Sequence, residues 1–248
     1  APDVFKHPNK KLYELMKKVF DMTDDDFKAK QNMGLEKVSY DKPVNLKPDQ
    51  IEALKNIVGP ENIKTDNYSR LKIAYGKTMY DLMRLRLGIV ENVPDAVLYP
   101  RDDDIEEIVK YCNSEKIPVY VYGGGSSVTR GVECTKGGVS LDMRVHMKNV
   151  IKFNETDQTI TVEAGMSGPD LEKVLNNAPE TLNAKGRYTL GHFPQSFEYS
   201  AVGGWVVTRG AGQNSRQNTR HGYVPAVYNS GGKDKDRGIS RTGNRPVN

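Results

Sequence analysis

Three consecutive glycines and two serines, residues 123–127, directly follow a short run of β-forming residues at 119–122. Glycine lets the backbone turn sharply and approach a ligand closely. Successive N–H groups of such a loop can point into one concavity and hold an anion, and the serine hydroxyls add further donors. The pattern therefore fits a phosphate-binding loop. The alternative interpretation is a mobile glycine turn after a strand.

Neither of two common phosphate motifs describes this loop. A P-loop requires the pattern Gly-x-x-x-x-Gly-Lys-Ser/Thr, and no lysine follows the glycines at that spacing. A Rossmann fingerprint requires a third glycine where Val128 stands, and no amphipathic helix follows at once. Both motifs are therefore disfavoured.

A second informative stretch runs from residue 191 to residue 212, where glycines and small residues alternate with aromatic residues. Such a segment could press its backbone against a flat ring while the cation of Arg209 meets a phosphate. The alternative is a buried, glycine-rich turn in which Trp205 anchors the core.

The two cysteines and the four histidines do not suggest a metal or redox centre. Cys112 and Cys134 are 22 positions apart, without the spacing of a metal or redox pair, so we expect both to be reduced. None of the histidines has the i, i+4 spacing of a zinc helix. We predict no metal.

The elements around the glycine loop predict an α+β domain. A strand at 96–99, a helix at 102–115 and the strand at 119–122 form a β-α-β unit with parallel strands. A further strand at 138–142, a hairpin over 150–164 and a helix capped by Ser167 follow. Earlier in the chain, apolar spacing predicts helices at 10–21 and 48–58.

Composition and charge restrict the class of protein. The chain has 248 residues, 37% hydrophobic and 27% charged, with a mean hydropathy of −0.64 and no apolar run of membrane-spanning length, so we expect a cytoplasmic protein. The net charge is +4, but residues 216–248 hold five Arg and two Lys against two Asp, and the rest carries −1. The body therefore offers no basic surface for a nucleic acid.

Several ordered motifs together resemble the FAD-binding half of the vanillyl-alcohol-oxidase-type (PCMH-type) flavoproteins, and within them the alkyldihydroxyacetonephosphate synthase family. Several motifs in register are far more specific than one glycine cluster. The matching stretches are residues 84–88, 93–100, 123–128, 140–142 with Met147, 162–165, 193–200 and 203–209.

The resemblance implies a set of cofactor-binding residues. The FAD diphosphate would lie on Val121, Tyr122, Gly123, Gly124, Gly125, Ser126 and Ser127. The flavin and its ribityl-phosphate path would be lined by Phe193, Pro194, Gln195, Ser196, Phe197, Glu198, Tyr199, Val206, Val207, Thr208 and Arg209. Covalently flavinylated members place a histidine beside the diphosphate loop, but Val121 and Tyr122 stand there in this chain, so we expect non-covalent FAD. His192 either makes a polar contact near the flavin or is satisfied within the fold.

The resemblance also implies a function. Alkyldihydroxyacetonephosphate synthases form an ether lipid without net redox chemistry, through an adduct at flavin N5. One alternative is an FAD-dependent dehydrogenase or oxidase of D-lactate or glycolate, and another is a non-catalytic nucleotide-binding module. The expected partners are a small or lipid-like substrate, a membrane surface contacted peripherally, and a second copy in a homodimer.

We predict three segments: a helical and irregular segment at 1–92, the FAD-binding domain at 93–215, and a basic tail at 216–248. The tail contains neither leucine nor phenylalanine and has no period, so it cannot build a core. Motif, hydrophobicity and charge all change at Ser215. We therefore expect a truncated and inactive family member with a foreign tail, because the catalytic residues of the family lie in later segments. The alternative is a natural flexible tail that contacts anionic membranes or nucleic acid.

Overall fold

The structure is a computed structural model that describes residues 9–27, 40–208 and 210. The chain divides into two compact units, which are Ala1–Val38 and Ser39–Asn248. The predicted tail at 216–248 lies outside the described residues, and so does Arg209. No helix in the described ranges is long and apolar enough to cross a membrane.

The first unit contains helix α1 (Lys10–Phe20) and a 3-10 turn (Asp24–Phe27). The side chain of Asn9 caps the helix by accepting the N–H of Leu12 at 2.9 Å. The helix ends at Asp21, which adopts a left-handed φ of 53°. The predicted first helix is therefore confirmed to within one residue.

The second unit contains the remaining elements, in a mixed α and β order. They are α2 (Pro48–Val58), β1 (Ile63–Lys64), α3 (Asn67–Lys72), α4 (Met79–Arg86), β2 (Ala96–Leu98), α5 (Asp104–Ser114), β3 (Val119–Tyr122), β4 (Val139–Asp142), β5 (Val150–Asn154), β6 (Thr159–Val162), α6 (Gly168–Asn176), α7 (Ala178–Thr181) and α8 (Val202–Thr208). The predicted α+β class is confirmed.

A four-stranded sheet in the order β1-β2-β4-β3 positions the glycine loop. β4 pairs in parallel with both β2 and β3, and β1 closes the other edge in the antiparallel direction. The predicted β-α-β unit is present, but β4 lies between its two strands. All four residues of β4 are buried because this central strand is covered on both faces.

Among the described residues of the second unit there are four apolar clusters, and two of them pack the sheet and the hairpin. In the larger one, Leu54 from α2 and Ile108 from α5 lie buried with Leu98 and Leu141 of the sheet. The smaller cluster joins the hairpin β5–β6 to helix α6 through residues such as Leu171. The hairpin confirms the sequence prediction.

Helix capping explains where the elements begin. Ser167 accepts the N–H of Asp170 at 3.1 Å and starts α6, as predicted. Residues 68–88 show no pattern that predicts a definite element, and the structure places two helices there. Asp66 caps α3, and Thr78 forms a reciprocal capping box with Asp81 at the start of α4. That Thr-x-x-Asp spacing was the signal in the sequence for α4.

Candidate functional site

The glycine loop leaves the sheet at its carboxyl edge. β3 ends at Tyr122 and continues directly into Gly123, and the neighbouring parallel strand β4 ends beside it at Asp142. In open parallel sheets, ligands bind outside the carboxyl ends of the strands. The fold therefore places the loop where a ligand site is expected.

The loop packs tightly against the second stretch that the sequence singled out. A Cβ added to Gly124 would lie 1.6 Å from the carbonyl oxygen of Tyr199, and one added to Gly123 would lie 3.3 Å from Cβ of Ala201. Only glycine allows the two backbones to approach this closely. The structure therefore brings the two stretches together although about 75 residues separate them in the sequence.

A third segment, which the sequence reasoning did not assign to the site, holds the other end of the loop. The N–H of Lys77 donates to the carbonyl oxygen of Ser127 at 2.9 Å. A Cβ added to Gly76 would lie 2.1 Å from the same oxygen. Gly76 in the Tyr-Gly-Lys-Thr run was the available signal, because a glycine at a close backbone approach has no other mark in a single sequence.

The backbone of the loop has the chemistry of an anion cradle. Within the described residues, the backbone N–H groups from Gly124 to Thr129 donate no hydrogen bond. Gly125 turns the chain with a φ of 67°, and a Cβ there would lie 2.0 Å from the hydroxyl oxygen of Tyr122. Unused N–H donors on a chain that side chains cannot fill suit the oxygens of a diphosphate. The loop therefore fits the phosphate-bearing part of FAD.

An ion pair between the buried Asp142 and the half-buried Arg144 lies beside the loop. Asp142 is 3% exposed and accepts two hydrogen bonds from the side chain of Arg144, at 2.8 Å from Nε and 2.6 Å from Nη2, and a third from its backbone N–H at 3.1 Å. The guanidinium carbon lies 4.9 Å from the ring centroid of Tyr122. Because Asp142 neutralises the charge of Arg144, the guanidinium positions the ring of Tyr122 and does not supply a free cation. Burial raises the pKa of Tyr122, with Arg144 opposing the shift, so the phenol stays neutral at physiological pH.

Aromatic rings cluster under the second stretch. The rings of Phe197 and Trp205 are stacked at 6.0 Å, and those of His192 and Trp205 meet edge to face at 5.3 Å. The indole N–H of Trp205 donates to Ser200 Oγ at 2.6 Å, with both residues buried. Trp205 is thus a core anchor, but it stands on helix α8 and not in the turn that the alternative interpretation assumed.

A third glycine contact ties this cluster to the preceding hairpin. Gly203 donates its N–H to the carbonyl oxygen of Ala164 at 2.9 Å, and Val202 donates to Met166 at the same distance. A Cβ on Gly168 would lie 2.6 Å from the ring of Phe197. These contacts set the position of the turn at 195–199, which contacts Gly124 through Tyr199.

The predicted cofactor-binding residues differ in exposure. In the loop, Tyr122 and Gly125 are buried and Val121 is exposed, with Gly123, Gly124, Ser126 and Ser127 in between. In the second stretch Pro194 is buried, Phe193, Ser196, Phe197 and Val206 are half-buried, and Gln195, Glu198, Tyr199, Val207 and Thr208 are exposed. The structure brings the loop into contact with Tyr199. It does not describe Arg209.

Burial lowers the pKa of His192 from the ordinary value of 6.5. The imidazole is therefore neutral at physiological pH and packs as an aromatic ring. Within the described residues, no group of three or more His, Cys, Asp or Glu side chains could hold a metal ion.

Comparisons with known proteins agree with this geometry. Residues 94–224 match the model of a family described as "FAD binding domain". The chain is 32% identical to alkyldihydroxyacetonephosphate synthase of Trypanosoma brucei brucei over 85% of this chain and 34% of that protein. It is also 32% identical to the synthase of Dictyostelium discoideum, over 74% of this chain and 29% of that protein.

More distant relatives include redox enzymes, and a solved structure supports the fold. Glycolate oxidase subunit GlcD of Bacillus subtilis is 28% identical over 66% of this chain and 31% of that protein. A solved alkyldihydroxyacetonephosphate synthase superposes with a TM-score of 0.65 at 31% identity, covering 71% of this chain and 34% of the other. The chain thus spans about a third of the length of the relatives it matches. Because the family model matches more than half of its residues, the chain belongs to the FAD-binding domain family.

Proposed function

We propose that this chain is the FAD-binding part of a flavoenzyme of the alkyldihydroxyacetonephosphate synthase type. The observation that carries the proposal is the glycine loop, whose unused N–H groups lie at the carboxyl edge of the sheet against Tyr199. The similarity at 32% identity to two synthases supports the substrate class. The FAD supplies the reactive isoalloxazine ring when it is bound.

The residues of this chain bind and orient the cofactor. The backbone N–H groups of Gly124 to Ser127 hold the diphosphate, and the hydroxyls of Ser126 and Ser127 add donors. The close contact of Gly124 with Tyr199 seats the second stretch, with the rings of Phe193 and Phe197, beside the cofactor path. Apolar rings on that path exclude water from the bound flavin.

Binding is non-covalent in this proposal. Val121 and Tyr122 precede the loop, and the neutral phenol of Tyr122 is buried with its ring against Arg144. Precipitating the flavin-loaded chain with acid should release all of the yellow colour into the supernatant. Colour that stays with the precipitated protein would contradict the proposal.

A direct experiment tests cofactor binding. The purified 248-residue chain is scanned in the flavin absorbance region with and without added FAD, and the affinity is measured from the quenching of flavin fluorescence. We expect saturable binding of FAD. A chain that neither carries nor binds flavin would favour the non-catalytic module.

The similarity to glycolate oxidase subunit GlcD favours a second candidate, a 2-hydroxy-acid dehydrogenase or oxidase. Both candidates use the same loop, so binding cannot separate them. Anaerobic addition of D-lactate or glycolate to a full-length relative separates them, because only the redox enzyme bleaches the flavin absorbance. No bleaching, together with ether-lipid formation, would support the synthase.

A further inference from the structure

Helix α4 carries apolar side chains on its outer side and charged side chains on its inner side. Asp81 is 1% exposed, and Arg84 is half-buried with its guanidinium carbon 5.9 Å from the ring centroid of Tyr75. By contrast, Met79 is 73% exposed, and Leu87, directly after the helix, is 70% exposed. A surface helix normally buries its apolar side. The outer side of α4 is therefore suited to an apolar environment that the described residues do not supply.

The exposed apolar side chains form one continuous surface, which we call the α4 face. Met79 and Met83 lie one helical turn apart. Leu87 continues the same row, because its N–H donates to the carbonyl oxygen of Met83 at 3.0 Å. Leu82 and Tyr80 lie on either side of the row, and all five side chains are exposed. Contiguous exposed apolar side chains are typical of a protein or membrane interaction site.

The exposed charges along this segment are positive. Lys77 precedes the helix, Arg86 lies in its last turn one turn after Leu82, and both cations are exposed. In residues 67–90 the only carboxylate belongs to Asp81, which is buried. The next carboxylate along the chain is paired with a guanidinium of the helix at 3.3 Å. The α4 face thus combines apolar side chains with cations, and it complements a surface that is anionic outside and apolar beneath.

A second copy of the chain does not complement the α4 face. Around a two-fold axis the same residues meet, so Lys77 and Arg86 would approach the cations of the partner. Like charges brought together in this way oppose association. A bilayer with anionic headgroups has the complementary order, because its negative charge lies at the surface and its hydrocarbon lies beneath. Long cationic side chains can contact such headgroups while neighbouring apolar side chains insert.

We propose that the α4 face docks the chain on an anionic lipid surface. Met83 and Leu87 insert at the boundary between headgroups and acyl chains, and Tyr80 keeps its hydroxyl at the level of the headgroups. Lys77 and Arg86 contact the lipid phosphates. The α4 face includes no residue of the glycine loop, so this docking does not depend on the proposed FAD binding.

A fluorophore placed on the α4 face tests insertion directly. Leu87→Cys in the 248-residue chain is coupled to an environment-sensitive thiol dye, and the native Cys112 and Cys134 are buried and do not compete. The matched control is Val109→Cys on α5, which is also an exposed apolar position but lies outside the α4 face. With vesicles of equal parts phosphatidylcholine and phosphatidylserine, only the label at residue 87 should shift its emission to the blue. Vesicles of phosphatidylcholine alone should give a smaller shift, because they carry no net negative charge.

Two double variants separate the apolar contribution from the electrostatic one. Met83→Ser with Leu87→Ser removes apolar surface, and we expect co-sedimentation with the mixed vesicles to weaken about tenfold or more. Lys77→Gln with Arg86→Gln should weaken it about tenfold as well, because each cation near an anionic surface contributes to binding. Added salt should weaken the binding of the unmodified chain for the same reason. Thermal unfolding checks that both variants fold, and the labelled pair gives the same test without them.

Three outcomes would overturn the inference. If the chain does not bind the mixed vesicles, the α4 face is left for an acidic protein partner. If binding persists in both double variants but is lost when the five arginines of residues 216–248 are replaced by glutamine, that segment contacts the lipid and α4 does not. If the label at residue 87 is already shielded without vesicles, another segment of the chain covers the face, or a second copy covers it where dilution restores exposure. FAD binding measured on the same samples reports on the proposed function separately.

Discussion

The contact between Gly124 and Tyr199 can be tested by adding a single methyl group. In Gly124→Ala, the new Cβ would lie 1.6 Å from the carbonyl oxygen and 2.5 Å from the carbonyl carbon of Tyr199, and 2.6 Å from Cα of Ser200. Real Cβ atoms essentially never approach other atoms closer than 3.0 Å. All three atoms belong to the backbone, so no side-chain rotation can relieve the clash. One of the two segments must therefore retreat by more than an ångström.

The size of the effect follows from the two consequences of that shift. Overpacking a well-packed site costs about 1 to 3 kcal/mol of unfolding free energy. The displaced loop also loses hydrogen bonds to the diphosphate, and one charge-assisted bond is worth roughly 1.5 to 3 kcal/mol. We expect FAD affinity to fall about a hundredfold. Denaturant unfolding without FAD measures the first cost, and fluorescence titration with FAD measures the second.

Gly131→Ala is the matched control. Gly131 follows the same loop, but a Cβ there would meet nothing closer than 4.0 Å. This variant should bind FAD within about twofold of the unmodified chain, because ordinary surface substitutions change free energies by less than about 0.5 kcal/mol. Unchanged FAD affinity and stability in Gly124→Ala would refute the reasoning, since the loop would then not need its contact with Tyr199.

Three further predictions follow from buried groups. Ser200→Ala leaves the indole N–H of Trp205 without its acceptor, and denaturant unfolding should show a loss of about 1 to 3 kcal/mol; a loss below about 0.5 kcal/mol would contradict this. Burial raises the pKa of Cys112 to about 11 and that of Cys134 to about 12, so both thiols should resist a thiol reagent at pH 8 until the chain is unfolded. Burial lowers the pKa of His192, so its contribution to the stability of the fold is complete above pH 6.5. As the pH falls from 6.5 through the lower pKa of the folded chain, the unfolded chain takes up the proton first and this contribution is lost. An NMR titration midpoint for His192 at or above 6.5 would contradict this.

Local patterns in the sequence determined much of the fold around the loop. The β-forming run before the glycines predicted β3 to the residue, and the hydroxyl of Ser167 predicted the start of α6. Apolar spacing predicted α1, α2 and α5, because one buried face of a helix repeats every three to four residues. The motifs in register identified the FAD-binding family. Except for the motifs in register, each of these signals lies in or beside the element that it specifies.

Helix α8 and the two short helices α3 and α4 were not predicted. α3 and α8 have only six and seven residues, too few for a hydrophobic period to be seen. Two glycines inside α8 also argue against a helix on propensity alone. There the packing of Trp205 against Phe197 and Ser200 outweighs the local preference.

The arrangement of the site was decided by the tertiary structure. Periodicity could not show that β4 would lie between β2 and β3, nor that Gly124 would contact Tyr199. The sequence of a strand or of a glycine turn does not specify which distant segment packs against it. The sequence alone therefore predicted which residues hold an anion and a ring. Long-range backbone contacts, which only close packing can select, decided which of them meet.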